Sequence, residues 1–177
     1  MKAFVTGGTG FIGSHLVDSL IENEDYSEIR CLVRSNDKWL KSKDFKRVRG
    51  DLHNLSVLKN AVSDVDVVFH LAGVVKAPTY QEFEHANVDA TENLVRTAQK
   101  EGVKKIVILS SLAAAGPSRN GPVTEDTPML PVSMYGRSKK RMEETIHTIA
   151  EKDTSVTILR PPAVYGPRED QIFSFFK

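Results

Sequence analysis

Short apolar runs alternate along the chain with longer segments in which apolar residues recur every three or four positions. The short runs are rich in β-branched residues and predict strands at 3–6, 29–33, 65–71, 105–110 and 156–159. The periodic segments predict helices at 11–21, 83–101 and 135–150. A weaker strand around 47–49 and a short helix over 54–61 are predicted between them.

The predicted strands are nearly continuous in apolar residues, as the sequence Val-Asp-Val-Val-Phe-His-Leu at 65–71 illustrates. Continuous apolar strands are typical of a parallel sheet that is covered by helices on both faces. Strands that alternate with helices indicate βαβ units. The pattern therefore predicts an α/β fold in three layers, with a doubly wound parallel sheet between two layers of helices.

Composition and charge narrow the class of protein. The 177 residues are 40% apolar and 27% charged, which is typical of one globular domain spanning 1–177 and excludes a disordered or collagen-like chain. Glycine and proline pairs at 116–133 predict a long loop. Twenty-four basic against 23 acidic residues leave a net charge of +1, so we expect a small-molecule substrate and no nucleic-acid or membrane partner.

The termini and the single cysteine bear on location and redox chemistry. No apolar stretch approaches the roughly 20 residues of a membrane span, and the start lacks the apolar core of a secretory signal. We therefore expect a cytoplasmic protein. Cys31 lies in an apolar predicted strand and is interpreted as an inert, buried residue.

A glycine-rich segment follows the first predicted strand and opens the first predicted helix. Gly8, Gly10 and Gly13 satisfy the pattern G-x-G-x-x-G, and Gly7 adds the spacing G-x-x-G-x-x-G. Such glycines allow a tight turn and a close approach of the backbone to a pyrophosphate. The alternative is a plain strand-to-helix turn, but strand, motif and helix coincide, which favours dinucleotide binding. The segment assigned to the cofactor comprises Gly7, Gly8, Thr9, Gly10, Phe11, Ile12 and Gly13.

The residue after the second predicted strand indicates which dinucleotide is bound. A site that selects NAD usually carries an acid there, which binds the ribose 2′-hydroxyl, but this chain has Arg34. The guanidinium of Arg34 could pair with a 2′-phosphate, and Lys38 or Lys41 could add charge. The alternative is a solvated Arg34, with Asp37 as the acid. The sequence favours NADP, with NAD as the other candidate.

Tyr135 and Lys139 are candidate catalytic residues at the start of the last predicted helix, because a separation of four places both side chains on one face. A free tyrosine has a pKa near 10, which a nearby ammonium and an oxidised nicotinamide would lower. A lowering of about three units requires about 4 kcal/mol. Ser110 and Ser111 end the preceding strand, where one hydroxyl could bind a substrate carbonyl. Such Tyr/Lys pairs are otherwise common on helix surfaces.

The glycine turn, the strand-end serine and the Tyr-x-x-x-Lys pattern occur here in the order seen in a known family. Over essentially its whole length, the chain resembles the extended short-chain dehydrogenase/reductase family, including its epimerase/dehydratase members. Further matching segments lie at 51–52 (Asp-Leu), 70–73 (His-Leu-Ala-Gly), 87–94 (Asn-Val-Asp-Ala-Thr-Glu-Asn-Leu) and 159–167 (Leu-Arg-Pro-Pro-Ala-Val-Tyr-Gly-Pro). The resemblance implies a Rossmann fold that binds NAD or NADP.

The resemblance also implies roles for individual residues. It places the catalytic Ser or Thr at Ser111, the general acid/base at Tyr135 and the ribose-binding lysine at Lys139, with Asn87 as a weaker candidate for a relay or a helix kink. His70 is interpreted as a satisfied strand-end histidine, and Asp51 and Pro161 also have purely structural alternatives. The further residues that the resemblance places along the cofactor are Asp51, Leu52, Leu71, Ala72, Gly73, Pro161 and Val164.

Two departures from the family pattern refine the expected function. Sugar dehydratases of the family carry an acidic pair directly after the catalytic Ser or Thr, where this chain has Leu112-Ala113, which argues against dehydration. Members of the family are also longer, and the phenylalanine-rich end at 172–176 lacks a cover, so we expect a missing substrate-binding part.

The sequence therefore predicts an NADP-preferring oxidoreductase that reduces a carbonyl or oxidises an alcohol by hydride transfer. The segments at 33–34 and 160–162 look like those of dihydroflavonol reductases and 3β-hydroxysteroid dehydrogenases. The alternatives are an NAD-dependent nucleotide-sugar epimerase or dehydratase and a non-catalytic dinucleotide-binding module. The resemblance also implies that the chain could form a homodimer.

Overall fold

A computed structural model describes residues 1–41, 43–118 and 121–169, and the apolar cluster at 172–176 lies outside them. The helices and strands, in chain order, are β1 Lys2–Thr6, α1 Phe11–Glu22, β2 Glu28–Val33, β3 Lys46–Arg49, α2 Leu55–Val62, β4 Val67–His70, α3 Tyr80–Glu84, α4 Ala90–Lys100, β5 Lys105–Leu109, α5 Met134–Ile149 and β6 Ser155–Leu159. The predicted strands and helices therefore exist and end within a few residues of their predicted bounds.

The six strands form one parallel sheet with the order β3-β2-β1-β4-β5-β6. Each neighbouring pair is parallel, which confirms the predicted doubly wound α/β fold. The strand order reverses between β1 and β4, and in such sheets ligands bind at the carboxyl ends of the strands beside that reversal. The glycine turn after β1 and the segment after β4 lie at this position.

The sheet is buried on both faces by two separate apolar clusters. On one face, Phe4 of β1 packs in a cluster with Leu94 of α4 and Ile146 of α5. On the other face, Val5 of β1 packs in a cluster with Val17 of α1. Successive residues of β1 thus enter opposite layers, which explains why the strands lack a polar alternation.

Cys31 belongs to the α1 face of the sheet and has no exposed surface. Burial raises the pKa of the Cys31 thiol to about 12, which confirms the interpretation of a buried, unreactive residue. Among the described residues, no helix has both the length and the apolar character needed to cross a bilayer.

The structure differs from the sequence prediction between residues 80 and 100. The pattern predicted one helix at 83–101, whereas α3 begins at Tyr80 and is joined to α4 by a π-helical segment, His85–Asp89. A π-helical turn holds one residue more than an α-helical turn, so the residues before it rotate relative to those after it. The hydrophobic period does not reveal such a local insertion.

Candidate active site

The glycine turn brings two backbone segments and a helix into direct contact. Gly7 has a φ of 73°, and a Cβ at this position would lie 2.5 Å from the amide nitrogen of Ala72. A Cβ on Gly13 would lie 2.2 Å from the carbonyl oxygen of Gly7. Gly10 precedes α1 and supplies no side-chain cap. No side chain therefore caps the first amides of α1, and their binding of a pyrophosphate stays a prediction.

Two adjoining cavities of about 510 and 470 Å³ follow the carboxyl edge of the sheet. They share Gly7, Thr9 and Gly10 of the turn and Leu71 and Gly73 after β4. The larger is lined also by Arg34, Asp51, Leu52 and Ala72, and the smaller by Phe11, Ile12, Gly13, Ser111, Tyr135, Lys139, Pro161 and Val164. The turn thus divides a continuous cleft into two halves.

Gly8 is the single predicted site residue that lines neither cavity. A Cβ at Gly8 would point to the core, 3.3 Å from Cγ2 of Val17 and 3.5 Å from Sγ of Cys31. Gly8 therefore serves the packing of the turn on the sheet. The other residues assigned to the cofactor or to catalysis line one cleft, and their binding roles stay predictions.

Tyr135 and Lys139 lie on the first two turns of α5 and face the same cavity. Ser133 caps this helix, because its side chain accepts a hydrogen bond from the amide of Gly136. Burial raises the pKa of Tyr135, and hydrogen bonding with Ser111 opposes the rise only in part. The expected lowering is therefore not a property of the chain alone.

The ammonium of Lys139 does not lower the pKa of Tyr135 in this structure, because it contacts the backbone of β5 instead. Its Nζ donates a hydrogen bond to the carbonyl oxygen of Leu109 over 2.9 Å. Lys139 is 5% exposed, and burial lowers its pKa to about 8 while Glu143 acts in the opposite direction. Lys139 is thus a buried cation that is close to its own titration at neutral pH.

The structure distinguishes Ser111, to which the resemblance assigns the catalytic role, from its neighbour Ser110. The buried Ser110 donates its hydroxyl proton to Oε1 of Glu143. Ser111 caps the short 3₁₀ segment Leu112–Ala114, where its Oγ accepts from the amide of Ala113 over 3.1 Å. Both serines line the cavity, and the Ser111 hydroxyl also interacts with Tyr135. Because the Ser110 hydroxyl is engaged by Glu143, Ser111 is the serine whose hydroxyl can serve a substrate.

Asn87 lies within the π-helical segment and joins three elements. Its Oδ1 accepts from the amide of Val74 over 2.8 Å, and its Nδ2 donates to the Val74 carbonyl oxygen over 3.0 Å. Nδ2 also lies 3.0 Å from Oγ of Ser138 on α5. The position of Asn87 within the π-helical turn agrees with the helix-kink alternative, and its contacts tie this turn to Val74 and to α5.

His70 at the end of β4 is a fully satisfied buried histidine. Its Nδ1 lies 2.6 Å from Oγ1 of Thr6, and its Nε2 lies 2.8 Å from Oγ1 of Thr91. Thr91 donates its own proton to the Asn87 carbonyl oxygen, so Nε2 must carry the proton that Thr91 accepts. The neutral tautomer thus uses both ring nitrogens, which supports the structural interpretation.

The buried, neutral state of His70 predicts that the free energy of unfolding decreases as the pH falls. Burial and the nearby Lys139 lower the pKa of His70 to about 3, against 6.5 for an exposed histidine. Protonation therefore favours the unfolded chain as the pH falls from 6.5 towards 3, by about 1.4 kcal/mol per pH unit. In urea unfolding, we expect the wild type to lose about 2 kcal/mol more than His70→Gln between pH 6.5 and 5. His147→Gln, on the exposed face of α5, is the control and should behave as the wild type; parallel curves for wild type and His70→Gln would contradict the assignment.

Arg34 and Asp37 lie close together in the sequence after β2 but differ in whether they line the larger cavity. Arg34, Ser35 and Asn36 line that cavity, whereas Asp37 does not. The Asp37 carboxylate pairs instead with Nε of Arg47 on β3 over 2.6 Å, and its side chain is 16% exposed. The acid that the sequence offered as an alternative is therefore turned to β3, while Arg34 remains exposed at the cavity.

Sequence reasoning placed Pro161 and Val164 of the segment after β6 along the cofactor, but it missed Arg168 in the same wall of the smaller cavity. Arg168 lines this cavity, donates to Oδ2 of Asp18 over 2.7 Å and to Oγ of Ser14 over 3.1 Å, and lies 6.0 Å from the ring of Trp39. Arg168 is separated from α1 by about 150 residues, and no local spacing indicated the contact. Glu143 was also missed, although its position four residues after Lys139 was a readable signal.

Comparison with known proteins identifies a matching family. The model of the NAD dependent epimerase/dehydratase family matches residues 3–174. Ceramide reductase of Caulobacter vibrioides is 31% identical over 98% of this chain and 49% of its own length. UDP-glucose 4-epimerase of Lactobacillus helveticus is 33% identical over 96% of this chain and 54% of its own length.

Solved structures agree with these relatives. UDP-glucuronic acid 4-epimerase from Bacillus cereus, in complex with NAD, superposes with a TM-score of 0.83 at 30% identity over 96% of this chain and 58% of its own. UDP-glucose 4-epimerase from Thermotoga maritima, with UDP-glucose, superposes with a TM-score of 0.86 at 29% identity over 96% of this chain and 58% of its own. The chain spans about half the length of the curated relatives it matches.

Proposed function

The chain belongs to the NAD dependent epimerase/dehydratase family, and from that premise we propose that it is the dinucleotide-binding part of an NAD(P)-dependent oxidoreductase. The observation that carries the proposal is the convergence of Ser111, Tyr135 and Lys139 on the cavity that continues into the glycine turn. Three hydroxyl and amine groups from β5 and α5 thus meet at the reversal point of the sheet, where such folds bind ligands.

The lining of the cleft fits a dinucleotide along its full length. The absence of a Cβ at Gly7 and Gly13 leaves the backbone amides of the turn and α1 facing a pyrophosphate. The half with Asp51 and Leu52 would hold the adenosine, and the half with Pro161 would hold the nicotinamide. When bound, the nicotinamide supplies or accepts a hydride.

Ser111, Tyr135 and Lys139 would bind the substrate, donate the proton and bind the ribose. Ser111 and Tyr135 present hydroxyl groups side by side, and both can donate hydrogen bonds to one substrate carbonyl oxygen. Because burial keeps Tyr135 protonated at neutral pH, its phenol is a proton donor to the oxygen in the reducing direction. The Lys139 ammonium lies one turn away and would bind the ribose hydroxyls. A protonated phenol beside Ser111 is the arrangement that carbonyl reduction requires.

A nucleotide-sugar epimerase is the second candidate, favoured by relatives named UDP-glucose 4-epimerase and by a similar structure that contains NAD. An epimerase oxidises and then reduces its substrate, so it has to retain its cofactor through the cycle, whereas a reductase exchanges it. Mass spectrometry of the cofactor released from the purified intact protein distinguishes the two. Stoichiometric bound NAD would support the epimerase, and an empty protein that binds added dinucleotide would support the reductase.

We further propose a preference for NADP over NAD. Arg34 is exposed at the adenosine end of the cleft, and Asp37 is held away from it by Arg47. An arginine fork there can pair with a 2′-phosphate, whereas no carboxylate is directed to a 2′-hydroxyl from the β2 loop. The homodimer and the cytoplasmic location stay predictions.

The Arg34→Ala variant tests the cofactor preference. We expect its affinity for NADP to fall by about 1.5–3 kcal/mol and its affinity for NAD to change little, because only NADP carries the 2′-phosphate. Parallel titrations of both dinucleotides by fluorescence or calorimetry measure the difference. Arg96→Ala, which removes an exposed arginine paired with Glu92 on α4, is the control and should alter neither affinity. Equal losses for both dinucleotides in Arg34→Ala would refute the phosphate assignment.

A further inference from the structure

A third polar residue continues the stripe of Tyr135 and Lys139 along α5. Glu143 follows Lys139 by one helical turn and is 1% exposed. A buried carboxylate is costly unless it is paired and hydrogen-bonded. Glu143 has both kinds of partner, since Ser110 donates to its Oε1 and Arg160 approaches its Oε2 with Nε at 2.9 Å and Nη2 at 2.7 Å.

The anion of this pair lies deeper in the protein than the cation. The Arg160 side chain is 20% exposed, against 1% for Glu143. Water therefore screens the guanidinium more than the carboxylate, and the two charges do not cancel in the interior. Lys139 is on the interior side, 5% exposed, with its Nζ on the Leu109 carbonyl oxygen.

The titratable groups packed around Lys139 come from three elements. Tyr135 and Glu143 share its helix, His70 ends β4, and Arg160 after β6 is joined to this group through its ion pair with Glu143. His70 is neutral because burial lowers its pKa to about 3, and Tyr135 is neutral because burial raises its pKa. The charge that acts on Lys139 at neutral pH is therefore that of Glu143, whose carboxylate Arg160 holds.

We propose that Glu143 is a positioning residue whose buried carboxylate, held by Arg160 and Ser110, keeps Lys139 a cation on the Leu109 carbonyl oxygen. The inference deepens the proposed function, on which it rests only for the role of Lys139 towards the cofactor. The same ion pair also ties the end of β6 to α5. Because Pro161 follows Arg160 directly, the pair fixes the nicotinamide wall of the cleft against the helix that carries Tyr135.

The Glu143→Gln variant removes the charge and keeps the size and hydrogen-bonding capacity of the side chain. We expect the midpoint of Lys139 ionisation, followed in the intact protein by NMR of ¹³Cε-labelled lysine, to fall by at least about one pH unit. The ratio of ammonium to amine then falls about tenfold at every pH. Glu144→Gln is the matched control, since Glu144 lies on the exposed face of the same helix, and it should leave the midpoint in place.

The Arg160→Met variant tests the same charge without altering Glu143. It removes the guanidinium that holds the buried carboxylate, so the carboxyl favours its neutral form and the Lys139 midpoint should fall, as in Glu143→Gln. The double variant should fall no further than Glu143→Gln, because its carboxylate is already absent. An unchanged or raised midpoint in either single variant would overturn the proposal, and Arg160→Met alone decides if Glu143→Gln does not fold. Cofactor affinity against pH is read separately: if the midpoint moves and the affinity does not follow, the ribose role of Lys139 fails and the present inference stands.

Discussion

Replacing Tyr135 by phenylalanine is expected to reduce kcat by at least about 100-fold while the affinity for the dinucleotide changes little. The substitution removes the hydroxyl that donates the proton. It keeps the aromatic ring, whose centroid lies 6.2 Å from that of the Phe83 ring. The fold and the walls of the cleft are therefore retained, and the loss falls on the chemical step. Steady-state kinetics and a dinucleotide titration on the same preparation of the intact protein measure the two quantities.

Tyr80→Phe is the control for the loss of a phenol. Tyr80 begins α3 and lines a separate surface depression with Met129 and Arg141, outside the two cavities of the cleft. Its variant should keep wild-type kinetics. Equal turnover in wild type and Tyr135→Phe would remove Tyr135 from the mechanism and would favour the non-catalytic dinucleotide-binding module.

Replacing Gly13 by alanine is expected to weaken dinucleotide binding by at least about 100-fold, whichever dinucleotide is used. The new methyl group would lie 2.2 Å from the carbonyl oxygen of Gly7 and 2.9 Å from Cα of Gly8. Both are backbone atoms of the turn, so the contact cannot be relieved by a side-chain rotation, and α1 must move away from the turn. That movement displaces the amides that face the pyrophosphate.

Gly8→Ala separates this effect from a general sensitivity of the turn. Its methyl group would meet the side chain of Val17 at 3.3 Å, on the core side of the turn, and a small adjustment of that side chain relieves the contact. We expect Gly8→Ala to bind the dinucleotide within about threefold of the wild type. Circular dichroism establishes that both variants fold. Wild-type binding by Gly13→Ala would show that the dinucleotide does not lie against this turn, whereas equal losses in both variants would show a general sensitivity of the turn.

The sheet and the glycine turn were readable from the sequence because their signals are local. Apolar runs such as residues 3–6 and 29–33 predict strands through composition and period alone, and the strand-turn-helix context of Gly10 fixes where an anion can approach. The spacing of Tyr135 and Lys139 likewise determines that both face one side of a helix. Each of these properties depends on neighbours within a few residues.

The roles of the polar side chains required the tertiary structure. The residue pattern alone did not choose between Ser110 and Ser111, and only the family resemblance pointed to Ser111, because the engagement of Ser110 depends on the buried Glu143 more than 30 residues away. It could not exclude Asp37 as the ribose acid, because that depends on Arg47 of β3.

The amino-acid order by itself determined the parallel sheet, the turn at its carboxyl edge and the positions of the candidate catalytic pair. Only the folded chain decided which serine is engaged by Glu143, which acid is turned away from the cleft and which carbonyl oxygen Lys139 contacts. The physical reason is that secondary structure and helix faces follow from periodicities of a few residues. The ionisation and direction of a buried polar group follow instead from burial and from charges that the fold brings together across long separations in sequence.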